Sequence, residues 1–117
     1  MSADVFALLQ FLRKTLLTLP GVTEKTLLDM PAFYVNNKIF ARIKEDGENL
    51  VIGTLEREKW MQADPETYYI TDHYRNYDYM LVNIDRVQPN DLTELLHTAW
   101  RNRATKKLIK QYEDIIG

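Results

Sequence analysis

The chain has no cysteine, a single serine (Ser2) and only two histidines, His73 and His97. Without cysteine there is no disulfide, no thiolate zinc site and no thiol nucleophile, and one serine leaves little room for a serine triad. Two histidines are too few for a convincing metal site even with carboxylates nearby, so no metal and no cofactor is expected. The four glycines, Gly21, Gly47, Gly53 and Gly117, are scattered, which excludes a glycine-rich phosphate loop. No stretch approaches the ~20 apolar residues of a membrane span, so no membrane partner is expected. The apolar run Val5–Leu12 follows Asp4 rather than a basic segment and is interrupted by Gln10. It reads as an amphipathic helix rather than a signal peptide, and the expected compartment is the cytoplasm.

What is present is the composition of a globular domain: 45% hydrophobic and 27% charged residues over 117 positions, enough for one domain with its own core. A net charge of −2 excludes a surface coated in lysine and arginine, but the charge is unevenly spread. Residues 1–96 hold 10 basic and 15 acidic side chains, whereas residues 97–117 hold 5 and 2, a balance of −5 against +3. Only a local basic site fits that distribution.

Apolar residues Val5, Leu8, Leu9, Leu12, Leu16 and Leu19 recur at helical spacing, predicting a helix over Ala3–Leu19 with Ser2 as N-cap and Pro20-Gly21 as its stop. Residues Val22–Asp29 follow without a clear period. Strands are predicted at Phe33–Val35 and Lys38–Ile43, joined by Asn36-Asn37, which tolerates the positive φ of a tight hairpin turn. A turn at Glu45-Asp46-Gly47 leads to a strand at Asn49–Ile52, and Thr54 is placed to cap a short helix reaching about Ala63. Tyr68–Thr71 and Tyr79–Ile84 read as an antiparallel pair around a polar loop. Asn90 or Asp91 then caps a helix through Trp100. One straight helix to the C-terminus would put Leu92, Leu95, Leu96 and Ala99 on nearly the opposite side from Leu108, Tyr112 and Ile115, so a break is predicted near Arg101–Thr105 with Thr105 as a new N-cap. The fold class is α+β, a single two-layer domain spanning residues 1–117. Its antiparallel sheet carries helices on one side, in the order α-β-β-β-α-β-β-α-α.

Three patterns carry candidate chemistry. Arg103, Lys106, Lys107 and Lys110 are spaced as a basic stripe, and cations in the first turn of a helix oppose its dipole. The stripe is either a solvated helix face or an anion site at a helix N-terminus. On the hairpin, a plain two-residue turn pairs Val35 with Lys38 and Phe33 with Phe40. That leaves Phe33, Val35, Lys38, Phe40 and Arg42 on one face, and Tyr34, Ile39, Ala41 and Ile43 on the side expected to meet the helices. The mixed face reads as a nucleic-acid wing or as a second small core. Finally, Tyr68, Tyr69, Tyr74, Tyr77 and Tyr79 gather around His73 and Arg75 as a ligand rim or as buried rings with wet hydroxyls.

Met30-Pro31-Ala32-Phe33-Tyr34-Val35 with Lys38-Ile39-Phe40-Ala41 resembles the early hairpin of the MmcQ/YjbR family. His73-Tyr74-Arg75-Asn76, the strand through Asp85 and the helix Leu92–Trp100 resemble that family's later half, with Tyr79 and Trp100 standing where Trp and Tyr are usual. The resemblance implies a YjbR-like fold with a double-wing DNA-binding motif, similar also to secretion-chaperone-like folds, and no catalytic residues. Lys38 and His73 are the matched positions it marks as surface contacts. The expected function is non-enzymatic DNA binding through phosphates, by Lys38, Arg42, His73, Arg103, Lys106, Lys107 and Lys110. The competing reading is a protein-interaction or chaperone-like adaptor with a protein partner, as a monomer or weak dimer; a small-molecule cleft at Tyr74, Tyr77 and Arg75 is a third.

Overall fold

A computed structural model describes residues 3–117. Ser2, the expected N-cap of the first helix, lies outside the described residues. The elements are α1 (Ala3–Leu16), β1 (Thr23–Leu27), β2 (Met30–Val35), β3 (Lys38–Ile43), β4 (Asn49–Gly53), α2 (Arg57–Ala63), β5 (Tyr68–Tyr69), β6 (Tyr79–Asn83), α3 (Pro89–Arg103) and α4 (Lys106–Ile116). The six strands form one antiparallel sheet in the order β1-β2-β3-β4-β6-β5. This is the α+β domain expected, with one more strand.

The additional strand is β1, and its sequence hides it. Thr23-Glu24-Lys25-Thr26-Leu27 is an edge strand with four of its residues exposed, so neither face writes an apolar alternation. Its turn into β2 is Leu28-Asp29, both at positive φ (52° and 62°), a left-handed conformation that side-chain-bearing residues rarely adopt. The neighbouring turn uses the expected Asn36-Asn37, at φ 53° and 61°.

The β2–β3 register departs from simple alternation. Val35 pairs with Lys38 as expected, but Phe33 pairs with Ala41 instead of Phe40, leaving Phe40 as an extra residue between them. This β-bulge divides both predicted faces. Phe33, Val35, Phe40, Ala41 and Ile43 all join the core, while Tyr34 and Ile39 pair across the ladder on the opposite side. Arg42, opposite Ala32 and Val51, also lies on that other side. The expected aromatic wing is therefore buried: Phe33 and Phe40 are fully enclosed. With it goes the exposed aromatic surface that motivated both a stacking wing and an adaptor.

α1 and α3 cover the core face, with Val5, Leu9, Leu12 and Leu16 from one and Leu92, Leu95, Leu96, Ala99 and Trp100 from the other. α1 stops at Leu16, earlier than Leu19, and turns reach Gly21. α2 begins at Arg57 because Thr54 Oγ1 accepts from the Glu56 amide instead of capping the helix directly. α3 begins at Pro89, ahead of Asn90 and Asp91, since the fixed φ of proline suits the first helical position and its missing N–H costs nothing there. The predicted break is present: α3 ends at Arg103, and Thr105 Oγ1 accepts from the Leu108 amide at 3.2 Å to start α4.

α4 is seated on the turn after α1. Trp100 Nε1 donates to the Pro20 carbonyl at 3.0 Å, Tyr112 lies edge-on to the Trp100 ring at 5.3 Å, and Leu108 rests on Gly21. Gly21 has φ +75°, and a Cβ there would stand 2.7 Å from Leu108 Cδ1. Both the backbone conformation and the close approach call for glycine. Gly21→Ala is expected to lose about 1–2 kcal/mol, read as a lower urea midpoint, with amide shifts at Leu108. An unchanged midpoint would contradict this seating of α4.

Candidate functional site

The seven sequence candidates separate into three groups. Lys106, Lys107 and Lys110 are exposed on α4, and Lys38 is exposed at the start of β3. Among the described residues, none of these four lysines has a carboxylate within ion-pair distance. They belong to one corner of the molecule, because Asn36 Nδ2 donates to the Arg103 carbonyl at 3.4 Å and docks the hairpin tip on the end of α3. Lys38 follows Asn36 by two residues; Lys106 follows Arg103 by three.

The polarity of α4 is inverted at its start. α1, α2 and α3 each carry an acid in the first turn (Asp4, Glu58 and Asp91), as the helix dipole favours, whereas α4 has none and opens on Lys106-Lys107. The first amides of a helix have no intrahelical acceptor. Thr105 takes that of Leu108, and those of Lys106 and Lys107 have no acceptor within the helix. Cationic side chains beside free amides suit an anion.

Arg103 belongs to α3, not to the α4 stripe, and its guanidinium is committed to the fold. Nε donates to the Ile39 carbonyl at 3.2 Å and the group lies over the Tyr79 ring at 5.4 Å, a cation–π contact. It fits because β4 has glycine beneath it: a Cβ at Gly53 would stand 3.1 Å from Arg103 Nη2. The Ile39 carbonyl is open to Arg103 because β3–β4 pairing covers only Ala41–Ile43, and Tyr79 OH donates to the same oxygen at 3.3 Å.

Arg42 and His73 come together on the sheet face that the helices leave uncovered. Arg42 is buried, with Nη1 donating to Glu45 Oε2 at 2.9 Å and Nη2 to Tyr74 OH at 3.1 Å. That contact holds Glu45 below the usual carboxylate range. His73 sits in a single 3-10 turn, Asp72–Tyr74, with its ring edge-on to Tyr74 at 4.9 Å. Asp72 pairs with Arg75, so the adjacent Asp72 and His73 form no acid–base dyad.

Sequence reasoning missed the residue that holds this loop. Arg57, at the start of α2, donates to the carbonyls of Tyr74 at 2.9 Å and Arg75 at 2.7 Å, and also to those of Tyr77 and Tyr79. A single arginine at a helix start carries no sequence signal for such a role, since its acceptors lie 17 to 22 residues away. The cleft itself differs from the one expected: Tyr74 lines it, but with Tyr79, Arg42 and His73 instead of Tyr77 and Arg75. Among the described residues no group of three or more His, Asp or Glu could hold a metal, and no helix is long and apolar enough to cross a membrane.

The comparisons with known proteins agree with this architecture. A family model described as YjbR matches residues 17–102. The crystal structure of Deinococcus radiodurans protein DR2400, with a domain described as DUF419, superposes with a TM-score of 0.70 over 88% of this chain and 86% of that one, at 23% identity. At that identity the likeness concerns the fold. The Mycobacterium tuberculosis protein named Uncharacterized protein Rv2570 and its Mycobacterium bovis counterpart Mb2600 are each 33% identical over 49 residues. That segment is 42% of this chain and spans only 38% of either relative's length.

The α3–α4 corner carries a pH dependence. Burial, with a smaller contribution from the Arg101 charge, pushes the His97 imidazole below the ordinary histidine value of 6.5, and its ring lies 6.2 Å from Tyr112 of α4. A depressed basic group means that the unfolded chain binds the proton more readily than the folded one. The stabilisation is thus full above pH ~6.5 and lost as pH falls through the folded value. Urea midpoints are expected to decline between about pH 7.5 and pH 5.5, and His97→Gln is expected to flatten that decline. A wild-type midpoint constant over this window would refute the assignment.

Proposed function

We propose, from the premise that this chain belongs to the YjbR family, that it binds the phosphate backbone of DNA at the corner where the β2–β3 hairpin tip meets the start of α4. The observation that carries the reading is the set of four exposed lysines that, among the described residues, have no carboxylate partner: Lys38 at the hairpin, and Lys106, Lys107 and Lys110 on α4, which unlike the other described helices opens without an acid. The chain as a whole has a charge of −2, so attraction to DNA has to come from a local basic patch and not from the net charge. The binding is non-enzymatic and sequence-tolerant: lysines neutralise phosphates as point charges, and the hairpin's Phe33 and Phe40 are buried and so cannot stack on bases. Arg42 and Arg103, engaged internally, support the corner and its neighbouring face without contacting DNA.

Each lysine that neutralises a phosphate releases counterions, so four contacts imply a slope of about −3.6 in log K against log salt. Fluorescence anisotropy of a labelled duplex, titrated between low and near-physiological salt, measures it. Lys106→Gln/Lys107→Gln is expected to reduce the slope by about 2 and to weaken binding to unrelated duplexes equally, while His73→Ala leaves affinity unchanged. Affinity independent of salt, or unaffected by the double variant, would refute the site.

A further inference from the structure

We propose that the cavity on the helix-free face of the sheet binds a small free carboxylic acid with a flat apolar body, held by Arg42 and Tyr74. The cavity has a volume of 210 Å³, below the roughly 300–1,000 Å³ of sites for larger ligands, and so suits a fragment-sized molecule. Its apolar lining is Ile39, Val51 and Leu27, with the rings of Tyr74, Tyr79 and His73 beside them. This lining suits a flat apolar body.

The polar groups specify the other end of the ligand. Arg42 lines the cavity with its side chain only 11% exposed. A guanidinium has five N–H donors, and the two hydrogen bonds to Glu45 and Tyr74 leave three. Tyr74 oxygen accepts from Arg42, so its own hydrogen is free to donate. Tyr79 hydroxyl already donates to the Ile39 carbonyl, His73 offers one donor or acceptor at each ring nitrogen, and no carboxylate lines the space. The cavity is thus rich in donors and poor in acceptors. A ligand oxygen that only accepts satisfies it, and two such oxygens in a plane match the guanidinium fork. Glu45 already balances the Arg42 charge, so a carboxylate, held chiefly by the free N–H and O–H donors, adds one uncompensated charge where a phosphate dianion would add two, which favours the carboxylate.

A peptide ending in phenylalanine would present the same chemistry, but the fragment-sized volume favours the free acid. The assignment is independent of DNA binding, and its test contains no nucleic acid. Benzoate and phenylacetate are titrated into the full chain to roughly 10 mM, where ligands of this size bind. Binding is followed by two-dimensional amide NMR, with benzamide and a short peptide ending in phenylalanine as comparisons. Saturable shifts confined to the 39–42 and 73–79 segments are expected, with benzamide about tenfold weaker and the peptide weaker than phenylacetate. Tyr74→Phe, which keeps the ring, is expected to weaken binding about fivefold. Glu45→Gln, which removes the competing anion, is expected to tighten it, and Arg42→Gln to abolish it. Absence of saturable shifts, equal binding of benzamide, a tighter peptide, or no change in the folded Tyr74→Phe protein would each overturn the proposal.

Discussion

One extra residue in β3 determines the character of both faces of this sheet. Side chains on a strand alternate, so a single insertion reverses every position beyond it. Phe40 is that residue, between Ile39 paired with Tyr34 and Ala41 paired with Phe33. Beyond it Ala41 and Ile43 turn to the helices, and Arg42 between them turns away to meet Tyr74. The Ile39 carbonyl, beyond the reach of β4, takes hydrogen bonds from Arg103 and Tyr79. The bulge thus separates an apolar face that builds the core from a face where a buried cation and aromatic rings surround an open space.

The basic corner depends on a second, separate constraint. Trp100 closes the end of α3 by bonding to Pro20 and packing beneath Tyr112, and Thr105 then redirects the chain into α4. Leu108 settles on Gly21, which leaves Lys106, Lys107 and Lys110 on the outer side. Arg103 joins the two regions. Its side chain reaches Ile39 and Tyr79 at the rim of the cavity, while its carbonyl receives Asn36 from the hairpin tip beside Lys38.

Features written by local chemistry were legible in the sequence. Helical spacing in α1, the Asn36-Asn37 turn and the Thr105 break are each specified by a few adjacent residues, and each is present. The resemblance to the YjbR family rested on the order and spacing of such segments. What was illegible is non-local or unmarked. β1 is exposed on both faces and joined by Leu28-Asp29, which carries no ordinary turn signal. The bulge adds no special residue, so the alternation around Phe40 looked regular: it placed Arg42, Ala41 and Ile43 on their actual sides but put Phe33, Val35 and Phe40 on the face away from the helices. Arg103 matched the spacing of a helical stripe, yet its partners Ile39 and Tyr79 are visible only after the sheet has formed. Arg57 likewise acts on carbonyls, which leave no trace in side-chain identity.

The central functional claim is that nucleic acid engages the lysine corner and not the tyrosine face. Mapping amide shifts of the full chain on adding a short DNA duplex at low salt addresses it most directly. Perturbations clustered at residues 36–38 and 105–111, with residues 72–79 undisturbed, are the predicted result. Perturbations centred on the 72–79 loop, or none at any site, would contradict it.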